Sequence, residues 1–255
     1  MCRMAAMVSL NPLNTNALVG WLSGLALLRD QCDGWGITAY RKKNLVLYFR
    51  EPTPIWERPS IHFPKANMTI VHVRKASEGS IKFLNSHPFV RIFEGKCWSF
   101  CHNGSVNKDL LQKDLDQAEP IGETDSEILF LYILDHLKGL EEPDEIFEGL
   151  SEATKALMER REELKMSAVN FLLTDGFALF AFRGARLKEH WFTLYVKDFK
   201  IQRRTDMLKY SIVSSEPLPQ GSECWEALDN WTLLGRWFDG DELVRRKINL
   251  KDVEE

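Results

Sequence analysis

The chain has 255 residues, 44% of them apolar and 27% charged, with a net charge of -4. That length and apolar content suit a globular protein with a substantial core. The acidic balance argues against a nucleic-acid partner, which needs a clustered basic face.

The chain opens "MCRMAAMVS", and "CRMAAMVS" is predicted as the first strand. Cys2 directly follows the initiator methionine, which is usually trimmed before a small side chain. A chain starting at Cys2 would carry a thiol and a free α-amine on one residue, a nucleophile and its base. The apolar stretch "ALVGWLSGLALL" (17–28) is shorter than the roughly 20 residues of a membrane span and reads as a buried helix. It has no basic leader or small-residue cleavage site, so no signal peptide is expected. The five cysteines, Cys2, Cys32, Cys97, Cys101 and Cys224, are an odd set without framework spacing. They read as reduced thiols, with the cytoplasm as the expected compartment and no membrane partner.

A breaker at "DGWG" (33–36) is followed by "ITAY" and "LVLYF" around "RKKN", a predicted hairpin. Residues 52–64 hold four prolines and are expected to be irregular. "MTIVHVRKA" (68–76) and "CWSFCHN" (97–103) have the composition of buried strands. "TDSE" is a capping box with Thr124 as N-cap and Glu127 three residues on, ahead of "ILFLYILDHL". Residues 144–164 show helical spacing of Ile146, Phe147, Leu150, Ala153, Leu157 and Leu164, and "ERREEL" (159–164) reads as a solvated helix face. "AVNFLLTDGFALFAFR" (168–183) is a predicted hairpin with a two-residue Asp175-Gly176 turn. Later strands are predicted at "WFTLYV", "YSIVSS" and "WTLLGRW". Strands, then helices, then strands favour a layered α+β fold with antiparallel sheets. No repeat or composition break divides residues 1–255, so one domain is expected.

Four short motifs could carry chemistry. In "CHNGS" (101–105), Asn103-Gly104 on its own favours a tight turn. The same pair offers an amide and an unobstructed N–H that could converge on an oxyanion. Arg74, in "HVRKAS", is placed either to snorkel or to grip a carboxylate with its planar fork. The acids of "GETDSE" (122–127) suit a helix start and could equally receive an ammonium. His87, in "NSHPF", points to nothing by itself. His72, His87 and His102 are evenly spaced but lack the short pairing of metal sites, so no metal is expected. The dinucleotide glycine fingerprint, the P-loop and the Gly-x-Ser-x-Gly elbow are absent, and no cofactor is expected.

Together the ordered motifs "MCRMAA", "DGWGI", "HVRKAS", "NSHPF", "FCHNG", "GETDSE", "LLTDG" and "SSEPL" span nearly the whole chain. In this order they resemble the class II glutamine amidotransferases of the N-terminal nucleophile hydrolases, in their stand-alone YafJ-type subfamily. The resemblance implies a four-layer αββα sandwich. It implies Cys2 as nucleophile, Asn103 and Gly104 as oxyanion hole, Arg74 on the substrate α-carboxylate and Asp125 on its α-ammonium. Ser77 and the Gly34–Gly36 loop would line the pocket; Trp35 and His87 belong to the subfamily pattern without an assigned step. Gln31 stands where relatives commonly have His. The implied activity is hydrolysis of the γ-glutamyl amide of glutamine or a γ-glutamyl compound through a thioester. The alternatives are a glutaminase subunit feeding ammonia to a separate synthase, or a glutamine-binding regulator without catalysis. The expected ligand is a small molecule, and oligomeric state is left open.

Overall fold

Alternation along the first strand sets the layering. The computed structural model describes residues 2–58, 63–76, 79–116, 119–204, 206–218 and 225–253. Successive side chains of a strand point to opposite faces. In β1 (Arg3–Asn14), Met4, Ala6 and Val8 join one apolar cluster, while Ala5 and Met7 join another. The second cluster is closed by α1 (Asn16–Leu28) through Leu18, Val19, Leu22 and Ala26. This helix is buried on one face only, since Leu28 is 83% exposed.

The chain continues through the hairpin β2 (Trp35–Arg41) and β3 (Asn44–Glu51), then β4 (Lys65–Val73), β5 (Phe89–Phe93) and β6 (Lys96–Ser105). The helices α2 (Lys108–Leu111), α3 (Asp125–Asp135) and α4 (Pro143–Glu159) follow. The strands β7 (Ala168–Thr174), β8 (Leu179–Arg183), β9 (Tyr195–Gln202), β10 (Met207–Ser214), β11 (Glu226–Ala227), β12 (Thr232–Asp239) and β13 (Glu242–Asn249) complete it.

A seven-stranded sheet has the order β11-β9-β10-β1-β4-β2-β3, and a six-stranded sheet the order β13-β12-β8-β7-β6-β5. Every pairing is antiparallel. The cluster of Met4, Ala6, Val8, Met68, Ile70, Cys101, Leu172 and Ala181 fills the space between the sheets. α3 and α4 cover the outer face of the six-stranded sheet, packing on Phe100, Phe171, Phe180 and Phe182. The result is the expected α+β sandwich of four layers. Among the described residues no helix is long and apolar enough to cross a membrane.

Several local expectations are corrected. Asn103-Gly104 is not a turn: β6 runs straight through it, paired with Asn170 and Val169 of β7. Gly104 has φ 142°, and a Cβ there would lie 1.9 Å from the Ala168 carbonyl oxygen, so close approach demands the glycine. The β7–β8 connection spans Asp175–Ala178, since Thr174 pairs with Leu179. Asp175 Oδ1 accepts from the N–H groups of Phe177 and Ala178 and shapes that longer loop. The "ERREEL" segment leaves the helix at Glu159, because the chain turns back to bury Leu164 and Met166. Trp191–Leu194 precede the β9 strand rather than join it; Trp191 N–H and Phe192 N–H close turns on Lys188 and Glu189. Trp35 and Gly36, expected in a breaker, begin β2. Only half of the Thr124 capping box forms. Thr124 Oγ1 accepts from Glu127 N at 3.3 Å, but the Glu127 carboxylate instead binds Ile121 N, Gly122 N and Arg91.

Candidate active site

β1 is central in its sheet, between β10 and β4, so the residue just before it is held from both sides. Ser215 N donates to Met4 O at 2.9 Å, and Met4 N donates to Ser215 Oγ at 3.2 Å. Arg3 pairs with Glu216 at 2.6 Å. The "SSEPL" motif therefore anchors the strand that presents Cys2.

The Cys2 thiol is half-buried against the segment leaving β4. Lys75 N donates to Sγ at 3.2 Å, and Sγ faces Lys75 O at 3.4 Å. Burial pushes the thiol pKa up, while the Lys75 N–H and the charges of Arg74 and Arg3 oppose it. Asn103 Nδ2 donates to Cys2 O at 3.2 Å, which brings the first strand of one sheet to β6 of the other. A cavity of about 480 Å³ opens here, with Cys2, Lys75 and Gly104 on one side and an apolar wall of Leu187, Trp191 and Phe192.

Arg74 and Asp125 are both buried beside this centre, and neither lines the cavity. The Arg74 guanidinium donates to Ser80 O at 3.0 Å and Gly79 O at 3.2 Å. Asp125 Oδ2 accepts from Val106 N at 2.9 Å, just past the end of β6, and Oδ1 accepts from Ser126 N at 2.8 Å. Ser77 lies outside the described residues.

The "DGWG" residues act from behind. Gly34 has φ 131°, and its carbonyl accepts from Arg74 N at 2.8 Å. Trp35 is fully buried against Phe49 and Phe63 in the cluster under α1, not in the cavity wall. A Cβ on Gly36 would meet the His87 carbonyl oxygen at 2.4 Å. His87 is buried, with its ring centroid 4.4 Å from that of His72 and 4.5 Å from that of Phe89. Gln31 is also buried, at the C-terminal end of α1. His102 lies on the helix side of β6, where Nδ1 meets Ser126 Oγ at 2.9 Å and Nε2 meets Ala168 O at 3.2 Å. Among the described residues no group of three or more His, Cys, Asp and Glu side chains is arranged to hold a metal ion.

Two acids have supporting roles that the sequence reading missed: Asp33 was not singled out, and Glu123 was read only as one of the helix-start acids. Asp33 Oδ2 accepts from Ala76 N at 2.8 Å, and Asp33 N donates to Arg74 O at 3.2 Å, clamping the backbone beside Cys2. An Asp opening a glycine turn commonly binds backbone, which was the available signal. Glu123 accepts from Ser80 Oγ at 2.7 Å, Lys82 Nζ at 3.0 Å and Asn85 Nδ2 at 3.1 Å, and so holds the loop whose carbonyls receive Arg74. Those hydrogen bonds pull its carboxyl down to about 2. The apolar wall at 187–192 carried no recognisable motif.

Residues 1–247 match the family model of the class-II glutamine amidotransferases. The chain is 31% identical over 250 residues to an uncharacterized protein of Methanocaldococcus jannaschii, covering 88% of this chain and 66% of that protein. It is 29% identical over 225 residues to Escherichia coli YafJ, named a candidate glutamine amidotransferase, covering 80% of this chain and 83% of YafJ. The chain thus spans about two thirds of the length of the archaeal relative. Among solved structures, a candidate glutamine amidotransferase from Pseudomonas aeruginosa superposes with a TM-score of 0.61 at 21% identity, covering 95% of this chain and 98% of that one. The phosphoribosylpyrophosphate amidotransferase of B. subtilis gives 0.62 at 15% identity, covering 96% of this chain and 49% of that one. The structural likenesses speak for the fold, and the family match over residues 1–247 speaks for descent: the chain belongs to the class-II glutamine amidotransferases.

Proposed function

We propose that the chain hydrolyses the γ-glutamyl amide bond of glutamine or a γ-glutamyl compound, with Cys2 as nucleophile once Met1 is removed. The observation that carries this reading is the meeting of Cys2 and Asn103 across the two sheets, through the 3.2 Å hydrogen bond from Asn103 Nδ2 to Cys2 O. The thiol and the Gly104 backbone share one cavity edge, with the Asn103 amide bonded to Cys2 O just behind it, an arrangement that simple amino-acid binding would not require.

In this reading the Cys2 α-amine takes the thiol proton as Sγ attacks the γ-carbonyl carbon. The carbonyl electrons move onto oxygen, which Asn103 Nδ2 and the Gly104 N–H stabilise. Collapse expels the amine, which leaves with the proton from the α-ammonium. Water, deprotonated by the α-amine, then cleaves the γ-glutamyl thioester to glutamate and restores the thiol. Arg74 and Asp125 would receive the α-carboxylate and α-ammonium, exchanging their present backbone partners for substrate. A thiol raised by burial is protonated at neutral pH, so the amine base is needed. An α-amine titrates near 7.7–8.0, so kcat/KM should rise with pH and level off above about 8.

The test is glutamate release from L-glutamine and a panel of γ-glutamyl peptides, with intact mass measured on the same sample. Release by protein beginning at Cys2, lost in Cys2→Ala, is the expected result, and the preferred panel member identifies the leaving group. A chain that begins at Cys2 and releases no glutamate would overturn the solitary hydrolase and leave ammonia delivery to a partner, or binding alone.

A further inference from the structure

The buried pair His72 and His87 has no part in the mechanism above, yet it sits directly behind the oxyanion donor. His72 projects from β4 into the space between the sheets, where its Nε2 lies 3.3 Å from Asn103 Oδ1. It is fully buried. On its other side its ring packs against that of His87 at an interplanar angle of 46°, and the His87 ring is backed in turn by Phe89. Resting on the hydrolase reading, we infer that His72 is a positioning residue that locks the side-chain amide of Asn103 with its N–H₂ toward the reacting carbonyl, and that His87 is the ring that holds His72 in register.

Atom-by-atom reasoning fixes the direction of each bond. The carbonyl oxygen of Cys2 can only accept, so the Asn103 atom facing it is the N–H₂ group. The atom facing His72 is therefore Oδ1, also an acceptor, and His72 Nε2 must carry the proton. The opposite tautomer would present a bare Nε2 and draw the Asn103 N–H₂ toward itself. That flip would aim Oδ1 at the developing oxyanion, repelling the charge it should stabilise. His72 Nδ1 has no hydrogen-bond partner among the described residues. Left unprotonated, it is an unpaired acceptor, which is cheaper to bury than an unpaired N–H. Burial also drives the His72 pKa down to about 3, which keeps the ring neutral. Both His87 ring nitrogens are buried without a partner among the described residues, so the ring is held by packing alone, at the cost of one unpaired N–H. The glycine at Gly36 completes the device, since a side chain there would displace the His87 backbone. Two motifs without an assigned step, "DGWG" and "NSHPF", thereby act on the oxyanion hole through His72.

The experiment is a double-mutant cycle on glutaminase turnover, with ring ¹⁵N chemical shifts of His72 as an activity-independent readout. His72→Leu should lower kcat at least about tenfold with KM little changed, because orientation rather than binding is lost. His72→Gln, whose amide reaches Oδ1 as a donor, should recover most of that loss. In an Asn103→Ala background, His72→Leu should cost almost nothing further. Iodoacetamide alkylation of Cys2 should proceed at the wild-type rate in His72→Leu and His72→Gln. The wild-type shifts should report protonation at Nε2. Full additivity with Asn103→Ala, equal losses in Leu and Gln variants, or protonation at Nδ1 would overturn the inference. If the wild-type protein releases no glutamate, the hydrolase reading fails; the inferred hold on Asn103 is then decided by the tautomer and its response to Asn103→Ala.

Discussion

At the scale of single residues, the site depends on atoms that leave little room for change. Gly104 illustrates this: an added Cβ would overlap the Ala168 carbonyl, and φ 142° is strained for any other residue. Gly104→Ala should destabilise the protein by about 2 kcal/mol or more, read from urea unfolding midpoints. It should also abolish turnover, since the β6–β7 register must shift to relieve the clash. Asn103→Ala is the complementary case. It removes one oxyanion donor without such a clash and should lower kcat on the order of 100-fold. Its stability loss should be smaller, about 1 kcal/mol, from the His72 N–H and Cys2 carbonyl left unpaired. Equal loss of stability in both variants would contradict this division. Sequence alone suggested both residues but favoured a turn for the pair. The decisive fact, that Ala168 crosses over Gly104, belongs to a strand more than sixty positions away and has no local signature.

At the scale of elements, the start of β1 is the part of the sandwich that must not move. Its ladder to β4 begins at Arg3 and Val73, and Ser215 and Glu216 grip it from the β10 side. Ser215→Ala leaves Met4 N without its Oγ acceptor and should cost about 1 kcal/mol. Turnover should fall about tenfold, because a small displacement of Cys2 spoils the attack geometry. A stability loss with unchanged kcat would show that the anchor serves folding alone. On the other side, Asp33 ties the segment 74–76 through Ala76 N. Most strands were legible, because β-branched runs mark β4 and β10 and short apolar runs mark β1 and β6. The edge strands β5 and β13 were not, because their exposed faces mix charge with apolar residues and blur the alternation.

At the scale of the whole molecule, His72, His87 and His102 are buried in or beside the sandwich, and burial lowers the pKa of each. In the unfolded chain they titrate near 6.5. Below that pH the unfolded state binds protons that the folded state refuses, so stability is fully present above about pH 6.5 and falls as pH drops. The slope should reach up to about 1.4 kcal/mol per pH unit for each such histidine. Urea midpoints measured between pH 7.5 and 5 should show this decline, and His87→Phe should flatten it by about one proton. A slope unchanged in that variant would mean that His87 is protonated in the folded state.

The sequence by itself determined the fold class, the family resemblance and the short stretches from which the candidate site is built. These are local properties: alternation, a helix cap, a thiol behind the initiator, glycines beside polar residues. The resemblance put Trp35 within a pocket-lining loop and gave His87 no step, where the fold turns Trp35 toward α1 and packs His87 against His72. Only the tertiary structure decided that Asn103 of one sheet meets Cys2 of the other, that Arg74 rests on the carbonyls of its own loop, and that residues 187–192 wall the cavity. Those contacts join positions far apart in the chain. They are set by how two twisted sheets face each other, which no short stretch of sequence encodes.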